Sequence, residues 1–228
     1  MSSGNVLERL WKPEASAKQL VLEGKRNPED FAEVPQKFVF GSVLPDLDWA
    51  KVYEILGMAT EYAEFAKTHK VEANPDLWVV PVIKGFTCNK VVQALHQLQV
   101  EMYLYFYIDN LDKAVLQNDR DPNKGSYLIG FAKNVEADEQ NKGKSARKLA
   151  EEGHKGITLL ERLFLELGYF LATGKHLDIQ KLTLCSGSRN SDGDVPGVYW
   201  NSDYSKVYVN WYGLDDAYDD LRSRSAVS

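Results

Sequence analysis

Sixteen residues, Thr158 to Thr173, constrain the fold of this chain more than any other segment. Thr158 and Glu161 stand at capping-box spacing. Leu159, Leu160, Leu163, Phe164, Leu167, Phe170 and Leu171 recur as a wide apolar stripe. Gly174 follows where helices commonly end on a left-handed residue. The segment reads as a helix with a broad face to bury. Glu161 and Glu166 read as surface charges on its capping side and outer face.

Other segments call for strands. Leu77 to Ile83 (LWVVPVI) reads as a buried strand, with Pro81 against a central place in a sheet. Met102 to Ile108 (MYLYFYI) is strongly β-prone. Asp119 to Gly125 reads as a turn and Tyr127 to Ala132 as a strand. Leu182 to Cys185 reads as a short strand. A second main helix is expected from a cap at Asp46 or Asp48 to about His69. There Trp49, Val52, Tyr53, Leu56, Ala59, Tyr62, Ala63 and Ala66 keep helical spacing. Asn74-Pro75 breaks it. Thr87 to Leu98 reads as a further helix, and Val135 to Lys148 as a solvated loop entering one. Leu7, Leu10 and Trp11 suggest a short helix near the start, and Pro35, Gly41 and Pro45 punctuate the stretch between it and Asp46. The fold class is α+β.

Asn190 to Asp220 is built mostly from five side-chain types. Its 31 residues hold seven Asp, five Tyr and three each of Asn, Ser and Gly. Tyr offers contact area at low entropic cost, and small polar residues offer adaptable hydrogen bonds, so this is the composition of a recognition surface. Within it, Tyr208 to Tyr212 alternates. Val207, Val209 and Trp211 fall on one face of a strand, and Tyr208, Asn210 and Tyr212 on the other.

The chain's net charge of -6 is that of this segment, which has seven Asp and one Lys. The remaining 26 basic and 26 acidic residues cancel. A neutral scaffold with an acidic patch is a poor match for phosphate, so nucleic acid is not the expected partner. A basic or neutral partner is. No apolar run is long enough to span a bilayer, and Met1 to Pro13 has no signal-peptide core. A soluble chain made in the cytosol is expected, with its final location open.

No catalytic set converges in the sequence. His69, His96, His154 and His176 are scattered, and none stands in a zinc-binding arrangement. Cys88 and Cys185 match no metal spacing and read as buried free thiols. Asn190, Asp192 and Asp194 suggest a calcium loop only faintly, since Gly193 is misplaced and Asn201 stands where Glu is needed. Ser186-Gly187-Ser188 is no nucleophile elbow. Neither an enzyme nor a cofactor is expected. A metal-dependent or thiol enzyme using Cys185 or Asp192 and Asp194 is the alternative, as is an assembly protein working through its N-terminal part.

Asn, Ser, Asp, Tyr and Gly share a coding property. Each is reached from AAC or AAT by changing adenines alone. That is the mark of diversity-generating retroelements, which mutate adenines while copying a repeat into the 3′ end of a target gene. The chain resembles the variable proteins of those elements. Gly156 to Arg162 with Gly174 resembles the helix preceding the variable region. Ser186 to Arg189, Trp200, Asn210-Trp211, Asp215-Asp216 and Leu221 to Arg224 resemble the frame of a C-type-lectin-like, formylglycine-generating-enzyme-like variable domain. Its usual G-F-R ending is replaced here by Leu221-Arg222-Ser223-Arg224.

The resemblance implies a binding domain over residues 76–228, with a variable region of about 186–224. Residues 1–75 would form a mostly helical segment of unknown role. Asn190, Asp194, Gly197, Tyr199, Asn201, Asp203, Tyr204, Tyr208, Asn210, Tyr212, Tyr218 and Asp219 would face a protein or small ligand. Trp200, Val207, Val209, Trp211 and Leu221 would pack beneath. Arg222 and Arg224 would serve the scaffold, pairing with carboxylates of the tail. An oligomer is compatible with this reading.

Overall fold

The computed structural model describes residues 44–105 and 108–227. The chain divides at Leu44–Pro45 into two units, and every element named here belongs to the second. The short helix expected at Leu7 to Trp11 lies outside the described residues.

The Asp48 carboxylate accepts the Lys51 N–H and opens α1, Trp49–Ile55. The expected single helix is in fact two. Gly57 turns left-handed (φ 66°), and α2 restarts at Ala59–Thr68. Only glycine takes that conformation at little cost, so the chain breaks there despite continuous apolar spacing. Asn74 then receives the Asp76 and Leu77 N–H groups and launches β1, Leu77–Val82. α3, Cys88–Gln97, is capped by Thr87. There follow β2 (Glu101–Leu104), α4 (Leu111–Ala114), β3 (Gln117–Asn118) and β4 (Tyr127–Ala132). The second half comprises α5 (Ala146–Glu151), α6 (Leu159–Thr173), β5 (Leu182–Leu184), β6 (Ser188–Arg189), β7 (Val195–Asn201), β8 (Lys206–Tyr212) and β9 (Leu221–Arg222). The fold is α+β.

The strands form a mixed five-stranded sheet in the order β2-β8-β7-β5-β9 and two small antiparallel pairs, β1-β4 and β3-β6. Pro81 is tolerated because β1 pairs with β4 alone. β4 also meets the chain's end, since Gly130 and Val227 exchange both backbone hydrogen bonds.

Helix α6 is the centre of the unit. The Thr158–Glu161 capping box is present, Gly174 closes the helix left-handed, and every residue from Leu159 to Tyr169 is buried. Phe164 gathers Trp49, Phe86 and Tyr53 at ring-centroid distances of 4.7, 4.6 and 5.3 Å. Trp49 and Tyr53 also donate to the Val79 and Pro81 carbonyls of β1. Thus α1, grouped by sequence with the N-terminal segment, packs on the central helix.

Glu161 and Glu166 are not surface charges, for both are fully buried. Glu161 accepts two N–H groups of Arg120, the Tyr127 hydroxyl and the Thr158 N–H. Glu166 pairs with Arg162, which turns to Asp178, which in turn holds Arg224. Helical spacing located these carboxylates and Arg162 on the helix, but not Arg120 and Arg224, which arrive from elsewhere in sequence.

Residues 135–148 are likewise no solvated loop. Their polar groups serve other segments' backbones. Glu136 receives the N–H groups of Ile179, Gln180 and Lys181, Asp138 that of Ser225, and Asn141 donates to the Ser223 carbonyl.

Candidate recognition surface

The β7-β8 hairpin carries most of the polar tail. Its turn is tied by Asn201, whose Oδ1 accepts the Asp203 and Tyr204 N–H groups. In the pairing Val198 lies opposite Val209, and Tyr199 opposite Tyr208. Strand alternation therefore sorts the hairpin into two faces. Val198, Val207 and Val209 are buried on the side that includes the packing of β7 against α6.

The opposite face is half covered. Toward β5 and β9, α5 lays Ala146 and Leu149 over Leu182, Leu184, Val195 and Leu221. Toward β2 and β8 the face opens, and tyrosines collect. The Tyr208 ring lies 4.6 Å from Tyr103, 5.3 Å from Tyr199 and 6.2 Å from Tyr204, centroid to centroid. Tyr204 is 66% exposed. The Glu101–Lys206 ion pair (2.9 Å) stands beside them.

Tyr103 and Glu101 come from β2, about 90 residues upstream of the polar tail. Sequence reading missed them as surface residues. The signal was the β-prone stretch MYLYFYI, but Tyr103 needed a sheet neighbour to show which way it faces. Parallel pairing with β8 supplies it, setting Tyr103 opposite Tyr208.

The residues expected to face a ligand separate into groups. Tyr199, Tyr204 and Tyr208 come together. Tyr212 sits at the seam, packed on the apolar cluster, with the exposed Tyr218 ring 6.5 Å away. Asp203 and Asp219 are exposed. Asn190 acts within its own loop, its Oδ1 accepting the Asp192 and Asp194 N–H groups. The side chain of half-buried Asn210 meets the Tyr212 phenol, while its Oδ1 is buried without a partner among the described residues. Burial pushes the Tyr212 phenol up to about 12, so it is neutral at pH 7.

Gly197 does not face outward. It is buried, and a Cβ there would stand 2.4 Å from Cε2 of Tyr212 and 2.9 Å from Cδ1 of Leu182. The tyrosine ring occupies the space that glycine leaves. Gly197→Asn is therefore expected to cost about 1–3 kcal/mol as overpacking. The same change in a Tyr212→Ser background is expected to cost much less, as urea unfolding of the four chains would show.

The scaffold residues differ from expectation in two respects. Val207, Val209 and Leu221 are buried, but Trp200 and Trp211 are only half-buried. Trp200 stacks on His176 at 3.5 Å, and His176 in turn contacts Glu166. Arg222 and Arg224 do not pair with the tail's carboxylates. Arg222 reaches Glu139. Arg224 reaches Asp178 and the Asn134 and Val135 carbonyls, because β9 runs beside β5 and away from the tyrosine face.

Cys88 and Cys185 are buried and free, and burial pushes both thiols up, holding them protonated. Among the described residues no three or more His, Cys, Asp or Glu gather as a metal site, and no helix is long and apolar enough to cross a membrane. No family model, curated protein or solved structure matches the chain.

Proposed function

We propose that this chain is a binding protein whose C-terminal face is diversified by adenine-directed mutagenesis, displayed on a C-type-lectin-like domain. It acts by recognition of a protein or small ligand, without chemistry of its own. The observation that carries the reading is the cluster of Tyr199, Tyr204 and Tyr208 on an open sheet face, over buried valines of the same hairpin. The codon relation among Tyr, Asp, Asn, Ser and Gly supports it, since these types dominate that segment. Tyrosine anchors would supply affinity, and the Asn and Asp residues around them an adaptable polar rim.

Such a face must tolerate exchange. A library varying Tyr199, Asn201, Asp203, Tyr204 and Tyr208 among Asn, Asp, Ser, Tyr and Gly is expected to remain mostly folded, judged by protease resistance. Selection on an unrelated bait, such as lysozyme, should enrich tyrosine-bearing binders. General unfolding of the library, or no enrichment, would overturn the proposal. For the single change Tyr204→Ala, stability is expected to shift by no more than about 0.5 kcal/mol, because the ring is exposed. Thermal unfolding measures it.

A further inference from the structure

Beside the tyrosine cluster an open cleft of about 300 Å³ lies between the strands and the segment leading into β5. Tyr199 and Tyr212 line it, together with Asn201, Asp203, Lys181 and Asp220. Tyr212 is a fixed wall, seated over Gly197 and against the apolar cluster. The backbone across the cleft is fixed too, because Glu136 holds the N–H groups of Ile179, Gln180 and Lys181.

The carboxylates of Asp203 and Asp220 are exposed, and neither has an ion-pair partner among the described residues. Nearby surface charges differ. Asp215 is taken by Arg147 and Glu101 by Lys206. Lys181 is the one basic residue among those lining the cleft, so two Asp and one Lys leave it a net -1. The carboxylate of Glu136, behind the Ile179–Lys181 backbone, adds to that sign.

Aromatic rings carry negative faces, and with uncompensated carboxylates they favour a cation. A guanidinium suits this cleft better than an ammonium. It is flat enough to lie on a tyrosine ring, and its forked N–H groups fit a carboxylate. We infer that the cleft seats an arginine side chain of the protein partner. The inference rests on the recognition reading of this face and adds the chemistry of what it recognises.

The test titrates the full, isotope-labelled chain with N-acetyl-arginine amide by NMR. The neutral isostere N-acetyl-citrulline amide and N-acetyl-lysine amide serve as comparisons. Shifts are expected at Lys181, Tyr199, Asn201 and Tyr212. Arginine is expected to half-saturate at a concentration about five-fold below citrulline, the scale of an exposed cation–π contact with a screened ion pair. Added salt should narrow the difference. In the exposed pair Asp203→Asn/Asp220→Asn, the preference should vanish while the fold persists. Equal binding of arginine and citrulline, an unchanged preference in the Asn variant, or lysine binding as tightly as arginine would each overturn the assignment. Should the five-position library yield binders while this titration shows no preference, the arginine inference fails and the recognition reading stands. An unfolded library sinks the recognition reading instead.

Discussion

Replacing Asp178 with Ala is expected to destabilise the protein by about 3–5 kcal/mol, lowering its unfolding temperature by roughly 10 °C. Asp178 is fully buried between two arginines that are themselves fully buried. One carboxylate oxygen receives the Ala137 N–H and Arg224. The other receives Arg162 and the Thr183 hydroxyl. Without the carboxylate, Arg162 keeps Glu166 as an ion partner, but Arg224 keeps only carbonyls and Thr183. An uncompensated buried charge is what makes such a loss large. Asp178 also holds a left-handed backbone (φ 52°), which Asn tolerates better than Ala. Asp178→Asn therefore isolates the charge from the backbone. It is expected to lose most of the same stability in urea unfolding.

Glu161→Ala is expected to cost a similar amount, about 3–5 kcal/mol. It removes at once the capping box of α6, both ion-pair contacts of Arg120 and the partner of the Tyr127 hydroxyl. The phenol has a clear role there. Burial, with the neighbouring Glu161 carboxylate, pushes Tyr127 far up, so it remains a neutral donor. If the partly buried charge of Arg120 is the source of the loss, Glu161→Leu with Arg120→Met should recover much of it. Paired apolar replacements of buried ion pairs are often near neutral. Thermal unfolding of the single and double variants decides. A single-variant loss below about 1 kcal/mol, the range of an exposed pair, would contradict the network's structural role.

Glu161 and Glu166 mark the limit of what the sequence makes legible. The bounds and caps of α6 were legible because Thr158, Glu161 and Gly174 are local signals, and they appear as expected. β4 was legible for the same reason, standing at Tyr127–Ala132 as read. The fate of Glu161 and Glu166 was not legible. It depends on Arg120 and Arg162 being neutralised within a core assembled from distant segments. A charge count along a helix cannot see that. The α1-α2 break turned on one glycine whose apolar neighbours kept helical spacing. Residues 135–148 carry charges that look solvated until the segments they cap are in place.

The candidate face was legible in its chemistry and in part of its geometry. Alternation placed Tyr208 and Tyr212 opposite Val207 and Val209, and the strand has that pattern of burial up to Val209. What alternation could not supply was the neighbour on each side. Only the sheet order brings Tyr103 to Tyr208 and α5 over Val195. Gly197, which the resemblance placed among the displayed residues, instead lies under the Tyr212 ring.

Whether this face is exchanged by adenine-directed copying is written in the DNA flanking the gene. A nearby non-coding near-copy of the codons for Asn190 to Asp220, beside a reverse transcriptase gene, is the expected result. The two copies should differ only where the non-coding one has adenine, and those sites should include the codons of Tyr199, Tyr204 and Tyr208. Differences scattered over cytosine, guanine and thymine positions, or no such copy at all, would contradict it.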